Sequence, residues 1–229
     1  MSLTNGNHVT PSQLPNGFAK YVVEGDYTFV VPHGVTLLYI TMVGGGGGSN
    51  STVPTGGGGG GGCFRYPYQA APGESISLVV GQGGSSSTSS SAALPGINSS
   101  FGTLTGEAGS GATASASGAG GNASDSATGV TADGGASVTT GSGSNGTLTP
   151  YNGLFGGGAG SYSDGAGGAV FAHGGGAAVS GQAVGGSSIL GVGIANSAGK
   201  GYGQGGGADA STLEAWDGAK GIVIVEWLA

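Results

Sequence analysis

His8, His33, His173 and Cys63 are the side chains of this sequence best suited to metal or nucleophilic chemistry, and their spacing assembles nothing. No histidine has a second ligand at helical or His-x-His spacing, so all three read as turn or surface residues. His33, followed by glycine, suits a hairpin turn. Cys63 is the only cysteine, which excludes an internal disulfide and the usual zinc clusters. It reads as a small packed residue beside a glycine run, with a reactive thiol as the alternative. Asp164, Asp209, Glu214 and Asp217 are the right type for a glycosidase carboxylate pair. Nothing in the sequence fixes their separation, and solvated loop charges are the simpler reading. Matches to G-x-G-x-x-G recur by chance in a chain with 58 glycines among 229 residues. None follows a strand and opens a helix, as dinucleotide binding requires. Gly199-Lys200 has Gly201 where a phosphate loop needs Ser or Thr. No catalytic, cofactor or metal site is expected.

Aromatic patches are better suited to recognition. Tyr and Trp supply large, rigid contact area with a polar edge, which fits sugar faces and protein loops. Tyr66 and Tyr68, next to a strand, suit core and surface equally, while Trp216 and Trp227 are expected to pack. Tyr151, Phe155, Tyr162, Asp164 and Tyr202 are the candidates for a receptor-binding surface.

Composition limits what could hold such a surface. Charged residues make up 7% of the chain and hydrophobic ones 37%, which fits neither an ordinary enzyme nor a solvated disordered tail. The net charge is −7, and the four cations Lys20, Arg65, Lys200 and Lys220 are scattered, so nucleic acid is not an expected partner. No run of residues is long and apolar enough for a membrane span, and the N-terminus has no secretory pattern.

Four segments read as strands from their β-branched and aromatic content: Tyr27–Val31, Val35–Val43, Ser75–Val80 and Ile222–Trp227. Val35–Val43 is apolar on both alternating sets, as in a strand covered on both faces. Three of these lie in the first 80 residues and one at the end, so a sheet must join the two ends of the chain. Between them, roughly residues 44–74 and 81–219, stand glycine runs and Gly/Ala/Ser clusters. A structureless loop of that length inside a domain is implausible. A better account is that extended threefold glycine helices, whose N–H and C=O groups point outward, pair sideways into a polyglycine-II bundle. The expected fold is therefore mostly β and irregular: a small sheet or sandwich of N- and C-terminal strands supporting a glycine bundle with variable loops. Gly58, mid-run, should reject a side chain. Gly153, assigned to a loop, should tolerate one.

Three segments carry a resemblance. EGDYTFVVPHGVTLLYITMVGGGGG, APGESISLVVGQGG with the following INSSFG, and GAKGIVIVEW resemble the glycine-rich receptor-binding tips of tailed-bacteriophage tail fibres and adhesins. Residues 106–150 are richer in Ala, Ser and Thr than that pattern. The resemblance implies residues 1–20 as an attachment segment and 21–229 as the tip domain. It implies a non-enzymatic adhesin in the virion, made in the host cytoplasm, without cofactor, nucleic-acid partner or membrane insertion. Its partners would be a host surface glycan or outer-membrane protein and a phage fibre or baseplate protein. The chain would be a homotrimer, or a monomer capping a trimeric fibre. A structural virion protein, as fibre cap or capsid decoration, is the alternative.

Overall fold

Alternation and β-branching produce strands where they are strongest, and glycine decides where those strands change partners. The computed structural model describes residues 17–149, 153–162, 174, 177–178, 187–188, 191–192, 201–209 and 212–227. The long strands are Gly17–Tyr21 (β1), Gly25–Val30 (β2), Leu37–Val43 (β3), Gly62–Gln69 (β4) and Ser75–Val80 (β5). Three-residue strands follow at Ser99–Phe101 (β6), Leu104–Gly106 (β7), Ala123–Asp125 (β8) and Val130–Ala132 (β9). Two-residue strands are Leu154–Phe155 (β10), Ala177–Ala178 (β11), Ser187–Ser188 (β12), Gly191–Val192 (β13), Ala208–Asp209 (β14) and Glu214–Ala215 (β15). Ile222–Trp227 (β16) is the last.

Two sheets form a sandwich, one in the order β1-β16-β3-β4-β10 and the other β2-β5-β6-β7-β8-β9. All the pairings in these two sheets are antiparallel. The first contributes Leu38, Ile40, Met42, Val223 and Val225 to the shared core, and the second Phe29, Ile76, Leu78, Phe101 and Leu104. The Phe29 ring sits 5.9 Å from that of Phe101 and 5.8 Å from that of Trp227.

Several expectations are corrected here. Pro32, His33 and Gly34 do not close a hairpin: β2 pairs with β5 and β3 with β4 and β16, so this turn carries the chain from one sheet to the other. Gly17–Lys20, expected in an attachment segment, belongs to β1 and pairs with β16. Gly62–Gln69, expected among glycine core and loops, is the longest strand.

Beyond the sandwich the strands run on as glycine rods. From Gly44 to Ser49 the N–H groups donate in rotation. Gly44 and Gly47 reach the carbonyls of Gly61 and Gly58, Gly45 and Gly48 those of Ile97 and Leu94, and Gly46 and Ser49 those of Ala219 and Trp216. These six bonds span 2.8–3.2 Å. Gly56–Gly61 repeats the pattern: Gly56 and Gly59 donate to Ser161 and Gly158, Gly57 and Gly60 to Gly206 and Gly203, and Gly58 and Gly61 to Ser110 and Glu107. It also accepts from Gly44, Gly47, Gly118 and Gly121. A period of three with a different neighbour at each step is the polyglycine-II arrangement. It pairs buried backbone groups that would otherwise be costly.

Glycine is needed here for the missing Cβ rather than for a positive φ, which the runs 44–48 and 56–62 do not contain. A Cβ built on Gly58 would fall onto the Ala119 carbonyl oxygen, and one on Gly44 would stand 2.5 Å from the oxygens of Gly106 and Glu107. Gly153 is different and is not the tolerant position expected: its φ is +69°, and a Cβ there meets the Phe64 carbonyl.

Each hairpin thus has a β base and a glycine top. β3 continues through Gly44–Ser49, turns, and returns through Gly56–Gly61 into β4. β5 and β6 are joined in the same way through rods 81–86 and 93–98, and β7 and β8 through rods 107–112 and 117–122.

Candidate recognition surfaces

The far end of the bundle gathers the turns of these hairpins. Asn50 and Thr55 close the first, exchanging backbone bonds of 3.0 and 2.9 Å. Asn50 is fully buried; its Nδ2 donates to the carbonyls of Ser89 (3.0 Å) and Ser91 (2.8 Å), and its Oδ1 accepts from Thr52 N–H. Thr55, also fully buried, donates its hydroxyl to the Thr113 carbonyl at 2.6 Å. Two buried side chains therefore fasten three turns, 50–55, 87–92 and 113–116, into one end surface. Thr52, Thr88, Ser89, Ser90, Ser91 and Ser115 are exposed on it, so the surface is dense in hydroxyls.

Of the candidate aromatic residues that are described, Phe155 and Tyr202 lie away from this surface. Tyr162 lies at the bundle end, where its N–H donates to the Gly141 carbonyl at 3.0 Å, and its side chain is half-buried. Phe155 is a correction: it is fully buried in β10, packed with Val43 and Ile222, and offers nothing to a ligand. Its position follows from its pairing with Gly62 at the edge of the first sheet. Tyr202 is half-buried against the same cluster, with the Lys20 ammonium 5.8 Å from its ring centre. Seven residue steps of extended chain separate Phe155 from Tyr162, about 20 Å at the threefold-helix rise. Tyr151 and Asp164 lie outside the described residues.

The remaining polar groups hold structure. Cys63 is fully buried, and burial pushes its thiol up to about 12; Sγ donates to the Ile40 carbonyl at 3.3 Å. It is a packed residue rather than a thiolate nucleophile. Asp125 in β8 accepts from the Tyr66 hydroxyl at 2.7 Å, the Thr128 hydroxyl at 3.0 Å and the Ala127 N–H at 3.0 Å. Burial works to raise its carboxyl, but bonds from Tyr66, Thr103, Ala127 and Thr128 prevail and hold it below the ordinary carboxylate range. These residues line an open cleft of about 310 Å³ with Pro67, Tyr68 and Gln69. Asp209 and Glu214 are cross-strand partners in β14 and β15, and Asp217 accepts from Ser86 N–H at 2.6 Å. Among the described residues no three His, Cys, Asp or Glu side chains converge on a metal position.

A bulge in β4 carries Arg65 at φ +47°, where its N–H donates to the Thr41 hydroxyl at 3.1 Å. Its guanidinium lies 5.2 Å from the Tyr39 ring centre and 3.5 Å from Glu226 Oε2. Phe18 on the edge strand β1 is 71% exposed.

The glycine-rich domain model matches residues 22–228, nearly the whole chain. The chain belongs to the glycine-rich domain family. Its match begins just past β1 and ends just past β16, so the family unit includes both the sandwich and the glycine bundle described above. No curated protein matches the chain.

Proposed function

We propose that this glycine-rich domain is the tip of a bacteriophage tail fibre, a non-enzymatic adhesin that recognises a polysaccharide or outer-membrane protein on the host surface. The observation that carries this reading is the division of labour between core and loops. The bundle is held by backbone bonds, and Asn50 and Thr55 fasten the end turns from beneath. The exposed Ser and Thr side chains of those turns are therefore free to vary without cost to the core, as a recognition surface requires. The fibre-tip motifs at 24–48, 71–84 and 218–227 supply the host-attachment context. In this reading the protein acts in the virion, as a homotrimer or as a monomer capping a trimeric fibre, and touches a fibre or baseplate protein at its other end.

A structural role in the particle is the second reading. The exposed Phe18, with Tyr39, Arg65 and Glu226 on the neighbouring strands, would suit contact with another virion subunit. Adsorption of phage to susceptible cells in the presence of excess purified protein separates the two. Adhesin function gives dose-dependent blocking; unchanged adsorption overturns it in favour of the structural role.

A further inference from the structure

The outer face of the six-stranded sheet carries an ordered polar row. Register places Asp26, Val79, Ser100, Thr105, Ser124 and Thr131 side by side across β2, β5, β6, β7, β8 and β9. Their neighbours Phe101, Leu104, Ala123 and Ala132 point into the core, so the row faces solvent. Five strand spacings make it about 24 Å long.

Where the strands become rods, a second row of Asn98, Glu107, Asn122 and Asp133 runs beside the first, and the first three grip the next rod with their side chains. Asn98 Oδ1 accepts from Ala108 N–H at 2.8 Å, Glu107 Oε2 from Asn122 N–H at 3.4 Å, and Asn122 Oδ1 from Gly134 N–H at 2.8 Å. Asp133 N–H donates to the Thr147 hydroxyl at 2.7 Å. The side-chain bonds hold Asn98, Glu107 and Asn122 in place while leaving the amide Nδ2 donors of Asn98 and Asn122 and the Oε1 of Glu107 for a ligand, with the exposed Asp133 carboxylate beside them. Donor and acceptor alternate along the row. At its β2 end an open depression of about 240 Å³ has Val79 and Ile97 as an apolar floor and Glu24, Asp26 and Gln82 around it.

Resting on the host-recognition reading, we propose that this lateral face binds a neutral polysaccharide laid across the strands. A pyranose has an apolar face that suits the Val79–Ile97 floor, and a rim of hydroxyls that both donate to carboxylates and accept from amides. Fixed side chains lose little freedom on binding, which favours affinity. Neither row contains Lys or Arg, and the acidic members Asp26, Glu107 and Asp133 disfavour an anionic chain. An anionic chain is therefore excluded, and the Ser, Thr and Asn members that make up most of the two rows suit uncharged sugar hydroxyls.

The test uses the full chain on surfaces bearing dextran, mannan, galactan or anionic alginate, read by biolayer interferometry. Wild type binds at least one neutral polymer and not alginate. Thr105→Arg and Ser124→Arg, which lay a long side chain across the row, weaken that binding tenfold or more, while Thr105→Ser retains it. Thr131→Arg on the edge strand serves as a third position should either variant melt below wild type. Absence of binding to every neutral polymer, or equal binding by the arginine variants, overturns the proposal even where the protein still blocks adsorption through its end loops. Neutral-polymer binding that the arginine variants lose, from a protein that does not block adsorption, upholds this face while the fibre-tip reading fails.

Discussion

At the scale of single residues, glycine acts through what it lacks. Gly58→Val places a Cβ on the Ala119 carbonyl oxygen, so the rod 117–122 must move away. Backbone groups left unpaired cost roughly 1–3 kcal/mol each, and overpacking adds about 1–3 kcal/mol more. Gly58→Val is expected to lower the melting temperature by several degrees or to prevent folding. The control is Ala136→Val, an exposed position beside the rod glycine Gly135, expected to change little. Equal melting temperatures for the two variants would refute a packed bundle. Asp125 gives a second residue-level expectation, with a sign set by its lowered pKa. A carboxyl whose folded pKa lies below its unfolded one stabilises the protein above the unfolded value, about 4. That contribution is lost as pH falls through the folded pKa. Asp125→Asn should therefore melt below wild type at neutral pH, by roughly 1–3 kcal/mol for the disrupted buried bonds. The gap should narrow as the pH drops through the carboxylate range. A gap independent of pH would mean that the charge at Asp125 contributes nothing.

At the scale of elements, sequence pattern was informative only where large β-branched and aromatic side chains are dense. β5 and β16 fall at their expected residues, and β2 and β3 within a few of them, because β-branched and aromatic residues are dense there, alternating in β5 and filling both faces in β3 and most of β16. β4 was hidden because its Arg65 bulge breaks the alternation and its first residue closes the glycine run. β6 to β9 were hidden because three-residue strands mostly of Ser, Thr, Ala and Gly, with Phe101, Leu104 and Val130 as isolated apolar anchors, carry no readable period. The glycine rods were legible as a bundle from composition, but not the partner of each rod, since one glycine is like another. For the same reason the transverse row Ser100–Thr105–Ser124–Thr131 could not be seen: tertiary register alone aligns it. Aromatic size was a poor guide to the surface, as burial of Phe155 shows. The end turns follow the same logic, because their order depends on side chains that reach across elements. Asn50→Ala strands two carbonyls of the 87–92 turn and the Thr52 N–H. It should speed amide hydrogen exchange in residues 50–55 and 87–92, leaving β3 and β16 protected. Unchanged exchange in those turns would show that Asn50 does not fasten them.

At the scale of the whole molecule, sandwich and bundle are two packings of the same hairpins. β-branched and aromatic residues with period two build sheets around an apolar core, and glycine with period three lets the same chains close up until backbone meets backbone. Because β3, β4, β5, β6, β7 and β8 each run directly into a rod, loosening one end releases the other. Unfolding should therefore be a single transition despite the two kinds of interior. Leu104→Ala tests this. Leu104 is fully buried in the sandwich core, and its truncation should cost about 2–5 kcal/mol. Gly57–Gly61, in the bundle, donate their backbone bonds to Gly206, Ser110, Gly158, Gly203 and Glu107 and are not members of that side chain's core cluster. In a cooperative molecule their slowest amide exchange reports global opening, so it should accelerate by the same free energy as that of Ile40 in the sandwich. Accelerated exchange at Ile40 with unchanged protection at Gly57–Gly61 would instead make the bundle an independently stable unit, standing on its backbone bonds alone.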